Sequence, residues 1–228
     1  LGSLQSVREF ARQINEEEKR LDILINNAGI AFVKKGAVTQ DNFHLVFGTN
    51  HFGPFLLTNL LLDLLKKSSP SRVITVSSVG HGWVPGMLDL TREDASGIQY
   101  PQLEDYLESK LANVLFSREL ARRLESTGVT SVSLHPGVVY TPIWSQMPVD
   151  WITTIYHFFS RPFFWLLFIG EEAGAQTTLH CALDDSVSDL SGSYFANCQV
   201  TEPSALAQDD KLARRLWEVS CEATGLEC

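Results

Sequence analysis

Short apolar runs alternate along the chain with longer segments in which apolar residues recur every three or four positions. The runs lie at 21–25, 72–78 and 129–137, and the periodic segments lie at 3–17, 41–67 and 103–125. Short continuous runs are typical of strands buried on both faces, and the longer spacing is typical of amphipathic helices. Pro54 is expected to bend the second helix. Strands that alternate with helices predict an α/β fold built on a doubly wound parallel sheet.

Polar and turn-forming residues follow each predicted strand. The segment 26–29 (NNAG) follows the first strand, Ser77 and Ser78 end the second, and 135–137 (HPG) end the third. The carboxyl ends of parallel strands meet at one edge of the sheet, where ligands of open α/β folds bind. The sequence therefore predicts one ligand crevice to which all three strand ends contribute.

A tyrosine and a lysine share one face of the third predicted helix. Tyr106 and Lys110 are four residues apart, which is about one helical turn. A phenol is a poor acid or base at pH 7, but a neighbouring ammonium stabilises its anion and lowers its pKa. Ser78 is a candidate for hydrogen bonding to the substrate oxygen. Taken alone, most such pairs are ordinary surface or half-buried helix residues, so the pair needs support from other motifs.

Composition narrows the classes of function. The 228 residues carry a formal net charge of −9 without a concentration of Lys and Arg, which argues against a nucleic-acid surface. Four cysteines without CxxC or Cys/His spacing favour a reduced, intracellular protein. The spacing of His81, His135 and His180 fits no common metal-binding motif. We therefore interpret these histidines as structural and expect no metal.

Five motifs occur in a fixed order along the chain: NNAG, TNHFG, VSS, YLESK and HPGVVYT. This series resembles the short-chain dehydrogenase/reductase family over nearly the whole chain. The resemblance implies a Rossmann-like fold and a single domain over 1–228. It implies that Tyr106 is the general acid/base, that Lys110 lowers its pKa and holds the nicotinamide ribose, and that Ser78 orients the substrate. Asn50 matches the asparagine that holds a relay water at a helix irregularity.

The resemblance also implies a nicotinamide cofactor, NADP(H) in the first place, with NAD(H) not excluded. Besides Tyr106 and Lys110, the matching cofactor-binding residues are Asn27, Ala28, Gly29, Pro136, Gly137, Val139 and Thr141. Asn26 is interpreted as structural, joining neighbouring strands.

Finer features are similar to the retinol dehydrogenase branch of the family. They are SSVGH at 77–81, the SKLANVLFSRELARRLE helix and the GSYFANC tail. This branch implies hydride transfer between NADP(H) and a retinoid or similar lipophilic alcohol or aldehyde. It implies that the full-length parent protein is located at the cytosolic face of the endoplasmic reticulum membrane. It also implies a homodimer through helices 41–67 and 103–125.

A strongly apolar segment at 151–169 lies in the expected substrate loop, 141–170. Arg161 and Pro162 interrupt it, which argues against a transmembrane helix. Three interpretations stay open: a lid over an apolar substrate, an interfacial helix that contacts a membrane surface, and plain core. Residues 83–87 are either part of the substrate mouth or a loop packed on the surface.

No TGxxxGIG phosphate loop precedes the strand at 21–25. We expect an N-terminally truncated domain that lacks the first βαβ unit, the pyrophosphate cradle and the membrane anchor. The alternative function is a catalytically inactive truncated form that binds a hydrophobic ligand or an intact subunit.

Overall fold

The computed structural model describes residues 1–31, 33–34, 36–84, 102–139 and 169–227. Its helices are α1 (Leu4–Glu17), α2 (Leu45–Phe47), α3 (Gly53–Leu60), α4 (Leu62–Lys67), α5 (Gln102–Arg123), α6 (Glu171–Leu183) and α7 (Asp210–Thr224). Its strands are β1 (Ile23–Asn26), β2 (Ser71–Val76), β3 (Val129–His135), β4 (Tyr194–Ala196) and β5 (Gln199–Val200). Short 3₁₀ helices span Val79–Trp83, Asp185–Asp189 and Ala205–Gln208.

The strands form one sheet in the order β1-β2-β3-β4-β5. The first four strands are parallel, and β5 pairs with β4 in antiparallel fashion. All three strands predicted from the apolar runs are present, so the predicted α/β fold with a parallel sheet is confirmed. Their carboxyl ends lie at the same edge, which brings the polar residues after β1, β2 and β3 together.

Both faces of the sheet are covered by helices, as the continuous apolar strands predicted. On one face, Phe55 of α3, Phe116 of α5 and Trp217 of α7 belong to one buried cluster with Val73 and Val129. On the other face, Cys181 of α6 packs with residues of β2, β3 and β4. The faces of α3 and α5 that were expected to form a homodimer are thus covered in part by α7.

The predicted helix 41–67 is divided into several pieces. A π-helical turn spans Gly48–Phe52, and α3 begins directly after it with Pro54 in its first turn. Proline has no N–H with which to continue the ladder of hydrogen bonds, so an irregularity just before it costs little. The expected disturbance around Pro54 is therefore a π turn, and Asn50 lies within it.

Three hydrogen bonds attach α5 to the end of β2. Ser77 Oγ donates to the carbonyl oxygen of Lys110 (2.6 Å). Lys110 Nζ and Asn113 Nδ2 both donate to the carbonyl oxygen of Val76, at 3.1 and 3.2 Å. All three contacts are buried, where a hydrogen bond is expensive to leave unmade. The helix that carries Tyr106 is thereby fixed against the strand that delivers Ser78.

The cysteines differ from the expectation of a fully reduced chain. Cys181 and Cys198 are free, whereas Cys221 is disulfide-bonded. The chain reverses just after Cys221, because Gly225 ends α7 with φ +64° and the Leu226 N–H bonds back to the Cys221 carbonyl. The prediction of reduced cysteines is therefore wrong at Cys221.

A search of the described helices for one long and apolar enough to cross a membrane finds none. The apolar segment 151–169 lies outside the described residues except for Ile169.

Candidate active site

Asn50 fastens the loop after β1 to the π turn. Its Oδ1 accepts from the Ile30 N–H and its Nδ2 donates to the Ile30 carbonyl, both at 2.8 Å. The same Nδ2 donates to Ser109 Oγ at 3.0 Å, and Ser109 Oγ donates to the Tyr106 carbonyl at 2.8 Å. The side chain is almost fully buried. Asn50 therefore connects the β1 loop with the helical turn that bears Tyr106.

Lys110 is a buried ammonium directed at the end of β2. Its Nζ donates to the Val76 carbonyl and lies 5.6 Å from the centroid of the Tyr106 ring. Loss of hydration in this position lowers the pKa of Lys110 from 10.5 to about 8. Within the described part of the chain its hydrogen bond to Val76 uses one of three N–H donors, so donors remain for the hydroxyl groups of a ligand.

Ser78 and Tyr106 are brought together as the motifs predicted. The Ser78 side chain is close enough to the Tyr106 phenol to act on its pKa, and the Ser78 hydroxyl accepts from the Gly80 N–H at 3.1 Å. A Cβ on Gly80 would lie 2.6 Å from Leu107 Cδ2, so glycine lets the turn after Ser78 approach α5 closely. This close approach positions the serine hydroxyl beside the phenol.

The protonation of Tyr106 differs from the expectation. Burial raises the pKa of the Tyr106 phenol above its ordinary value of 10, and the hydrogen bond with Ser78 opposes that shift. Lys110 Nζ, the cation expected to lower this pKa, donates to the Val76 carbonyl. In this structure the phenol is protonated at neutral pH and is thus a proton donor.

The cofactor-binding candidates Asn27, Ala28 and Gly29 form an exposed loop at the carboxyl end of β1. A Cβ built on Gly29 would lie 3.3 Å from Asn50 Oδ1 and 3.4 Å from Lys110 Nζ. The absence of a side chain thus keeps the space above these two groups open. Asn26 is structural but joins β1 to a helix, since its Nδ2 donates to Thr58 Oγ1 of α3 (2.9 Å) and not to a neighbouring strand.

The candidates Pro136, Gly137 and Val139 continue from β3 along the same edge. Gly137 adopts φ +89°, a conformation that favours glycine, and its N–H donates to His135 Nδ1 at 3.0 Å. Val139 forms a parallel bridge with Ile169. Thr141 and most of the expected loop 141–170 lie outside the described residues.

Several residues at this edge have contacts that the sequence motifs did not predict. Ser109 and Asn113 were not singled out, although both lie on the face of α5 that carries Tyr106 and Lys110. Their spacing of three residues from Tyr106 and Lys110 was the available signal. Trp83 is largely exposed, whereas Val84 packs partly against a buried cluster. No group of three or more metal-ligating side chains occurs in the described parts of the chain.

The arrangement combines a protonated phenol, the Ser78 hydroxyl beside it and a buried cation at the mouth of a sheet crevice. Such a set can hydrogen-bond an oxygen atom of a ligand and donate a proton to it. Lys110 and the uncovered space beside Gly29 offer donors and room for a polar ligand next to that oxygen.

Comparisons with known proteins identify relatives of the chain. Residues 1–88 match the family model for short chain dehydrogenase. The chain is 48% identical to Dehydrogenase/reductase SDR family member 13 of Bos taurus, over 99% of this chain and 58% of that protein. It is 45% identical to Retinol dehydrogenase 13 of Homo sapiens, over 100% of this chain and 67% of that protein.

A solved structure is similar as well. The NADPH-bound carbonyl reductase from chicken fatty liver superposes with a TM-score of 0.59 at 25% identity, covering 88% of this chain and 73% of that chain. The chain thus spans little more than half the length of the bovine relative, and the similarity extends over nearly all of this chain. These similarities and the observed fold identify the chain as a member of the short-chain dehydrogenase/reductase family.

Proposed function

We propose that this chain carries the catalytic part of an oxidoreductase that transfers a hydride between NADP(H) and a retinoid or a similar lipophilic alcohol or aldehyde. The observation that carries the proposal is the convergence of Ser78, Tyr106 and Lys110 at the mouth of the sheet crevice. Membership of the family supports the reaction class.

Tyr106 and Ser78 act on the oxygen of the substrate. When an aldehyde is reduced, the Ser78 hydroxyl hydrogen-bonds its oxygen and the Tyr106 phenol donates the proton. When an alcohol is oxidised, the phenolate form of Tyr106 removes that proton. Burial of Tyr106 disfavours its anion, so at neutral pH the phenol is in the proton-donating form that reduction of an aldehyde requires.

The residues around Gly29 fit a dinucleotide with a nicotinamide ribose. Lys110 has unused N–H donors beside the open space at Gly29, and it would hold the ribose hydroxyls. Asn27, Ala28, Pro136, Gly137, Val139 and Thr141 would complete the binding surface by their match to the family motifs. The nicotinamide, when bound, supplies or accepts the hydride. The NADPH-bound reductase with a similar fold supports NADP(H) as the cofactor.

A lipophilic substrate is supported by the relatives named as retinol dehydrogenases and by the apolar composition of 151–169. This segment lies between Val139 and Ile169, whose bridge is at the catalytic edge of the sheet. We propose that it covers the substrate and contacts a membrane surface at the endoplasmic reticulum. A homodimer would use the surfaces of 41–67 and 103–125 that α7 leaves uncovered.

Replacement of Tyr106 by phenylalanine tests the assignment. Tyr106→Phe removes the proton donor while the ring and its packing remain. We expect turnover of retinal with NADPH to fall by about 10²- to 10⁴-fold, with an unchanged dissociation constant for NADPH measured by fluorescence. Retention of more than a tenth of the activity would contradict the role of Tyr106.

NADPH titration of the purified 228-residue chain separates the enzyme from the non-catalytic alternative. Saturable binding that weakens in Lys110→Met supports the proposed cofactor site. Absence of binding, together with binding of retinal, would favour the form that only carries a hydrophobic ligand.

A further inference from the structure

His81 is a buried histidine that the proposed mechanism does not use. It lies in the 3₁₀ turn that begins directly after Ser78, and 6% of its surface is exposed. Its ring packs against that of Tyr194 with the centroids 4.9 Å apart. Both nitrogens of the ring have close polar partners, which a histidine that only fills space does not require.

The partners of the two nitrogens determine which one carries the hydrogen. Nε2 lies 3.1 Å from the Ser204 backbone nitrogen, which is a donor, so Nε2 must be the accepting nitrogen. Nδ1 lies 2.7 Å from the Ser78 carbonyl oxygen, which is an acceptor, so Nδ1 must carry the hydrogen. The network therefore assigns the neutral Nδ1–H tautomer.

We propose that His81 is a positioning residue that holds Ser78 at the active site by bridging its carbonyl group to the backbone of Ser204. The proposal rests on the proposed function insofar as Ser78 acts on the substrate. The bridge joins segments 123 residues apart in sequence.

The surrounding contacts explain why a bridge is needed. Inside the turn, the Ser78 carbonyl accepts from the His81 N–H (3.1 Å), and the Ser78 hydroxyl accepts from the Gly80 N–H (3.1 Å). These bonds lie within the turn, and from outside it Tyr194 Oη lies 3.4 Å from His81 Nδ1. The imidazole ties the turn to the start of the 3₁₀ helix Ala205–Gln208, where Ala207 is packed in a buried cluster with residues of α5.

The neighbours of His81 favour the neutral ring that the bridge requires. Burial lowers the pKa of His81, and His135 of β3 is close enough for its own pKa to be lowered by His81. A second hydrogen on Nε2 would meet the Ser204 N–H and break the bridge.

Three substitutions distinguish the contributions of the two hydrogen bonds of the bridge. The amide nitrogen of His81→Asn occupies roughly the position of Nδ1 and keeps the bond to the Ser78 carbonyl. The amide oxygen of His81→Gln reaches roughly the position of Nε2 and keeps the bond from Ser204. His81→Phe keeps the ring packing on Tyr194 but removes both bonds, together with the 3.4 Å contact between Nδ1 and Tyr194 Oη.

The kinetic test uses kcat for retinal reduction in the protein and in its Ser78→Ala background. We expect His81→Phe to lower kcat by about 10- to 100-fold with the dissociation constant of NADPH unchanged, and His81→Asn to restore more of it than His81→Gln. In the Ser78→Ala background, His81→Phe should lower kcat by less than about 2-fold, because a residue that acts through Ser78 has nothing left to position. Equal losses in both backgrounds would overturn the proposal.

A spectroscopic readout keeps the inference independent of turnover. The ¹⁵N chemical shifts of His81 in the 228-residue chain should report the Nδ1–H tautomer, and His81→Phe should accelerate hydrogen exchange at the Ser204 amide. His180→Phe on α6 is the matched control and should leave that amide unchanged. An Nε2–H tautomer, or unchanged exchange at Ser204, overturns the bridge even in an active enzyme. A wild-type protein without turnover would instead overturn the proposed function.

Discussion

The buried ammonium of Lys110 is the costliest single group of the site for folding. It is almost fully buried, and within the described residues its Nζ donates to a neutral carbonyl oxygen and not to a carboxylate. A charge taken out of water in this way destabilises the folded state unless a ligand compensates it. The cost is consistent with a group kept for its chemistry and not for its contribution to stability.

Lys110→Met should therefore stabilise the chain at neutral pH. The pKa of Lys110 is about 8 in the folded chain, against a reference value of 10.5. Removal of the charge should therefore raise the free energy of unfolding by on the order of 3 kcal/mol. Between pH 8 and 10.5 the unfolded wild-type chain holds more protons than the folded one, and wild-type stability rises with pH. The advantage of Lys110→Met should consequently shrink over that range in urea unfolding measured by circular dichroism.

Lys66→Met is the control for this pH dependence. It removes an exposed ammonium from α4, which loses little hydration when the chain folds. The stability difference between Lys66→Met and the wild type should stay flat from pH 7 to 10. A flat difference for Lys110→Met as well would contradict the assignment of a desolvated ammonium.

At the scale of elements, three helices meet around one tryptophan. Trp217 of α7 is 4% exposed and lies 5.0 Å from Phe55 of α3 and 5.9 Å from Phe116 of α5, measured between ring centroids. The same helix α7 reaches the π turn, because Ser220 Oγ lies 2.8 Å from His51 Nε2 and His51 adjoins Asn50. The packing of α7 thus supports the turn that holds the β1 loop.

Trp217→Ala should cost about 3–5 kcal/mol of unfolding free energy, because it opens a cavity between α3, α5 and α7. Urea unfolding monitored by circular dichroism measures this loss. Trp83→Ala is the control, since Trp83 is 66% exposed and its removal should change stability by no more than about 0.5 kcal/mol. Similar losses for the two variants would show that the α7 interface contributes little.

Some of the helices and strands could be predicted from the sequence, and others could not. The apolar runs predicted β1, β2 and β3, because strands buried on both faces leave a signal in consecutive residues. The segment 41–67 is apolar over a wide face, which hides the rotation of the apolar stripe that one extra residue in a π turn produces. The family motifs, not the periodicity, pointed to an irregularity at Asn50.

Contacts between segments that are far apart in sequence were the second feature that the sequence could not predict. The motifs named Ser78, Tyr106 and Lys110, which the fold does bring together. They did not predict that the Ser204 N–H donates a hydrogen bond to His81. Every residue except proline has a backbone N–H, so the residue type gives no signal, and the two residues are far apart in sequence. The raised pKa of Tyr106 was missed for a related reason, since burial depends on the packed fold and not on the spacing of a motif.

At the scale of the whole molecule, the sheet has two different edges. β5 is a two-residue strand at one edge, and β1 lies at the other, where Ile25 is 40% exposed although its neighbours in β2 are buried. Within the described residues β1 pairs with β2 alone, and on its outer side the Ile25 carbonyl accepts from the Asn27 N–H of the same chain (3.1 Å). An apolar, unprotected edge of this kind is a template for association between chains.

Ile25→Lys should accordingly suppress self-association of the purified chain. A lysine at this edge sets charges against each other when two β1 strands approach, while the backbone of β1 and its pairing with β2 remain. We expect the concentration of half-maximal association, measured by sedimentation velocity, to rise by about 10-fold, which corresponds to about 1.4 kcal/mol. Val200→Lys introduces the same charge at the short β5 edge, where Val200 is 53% exposed, and should change that concentration by less than about 2-fold. Equal effects of the two variants would indicate a response to net charge, which would exclude β1 as the specific site of association.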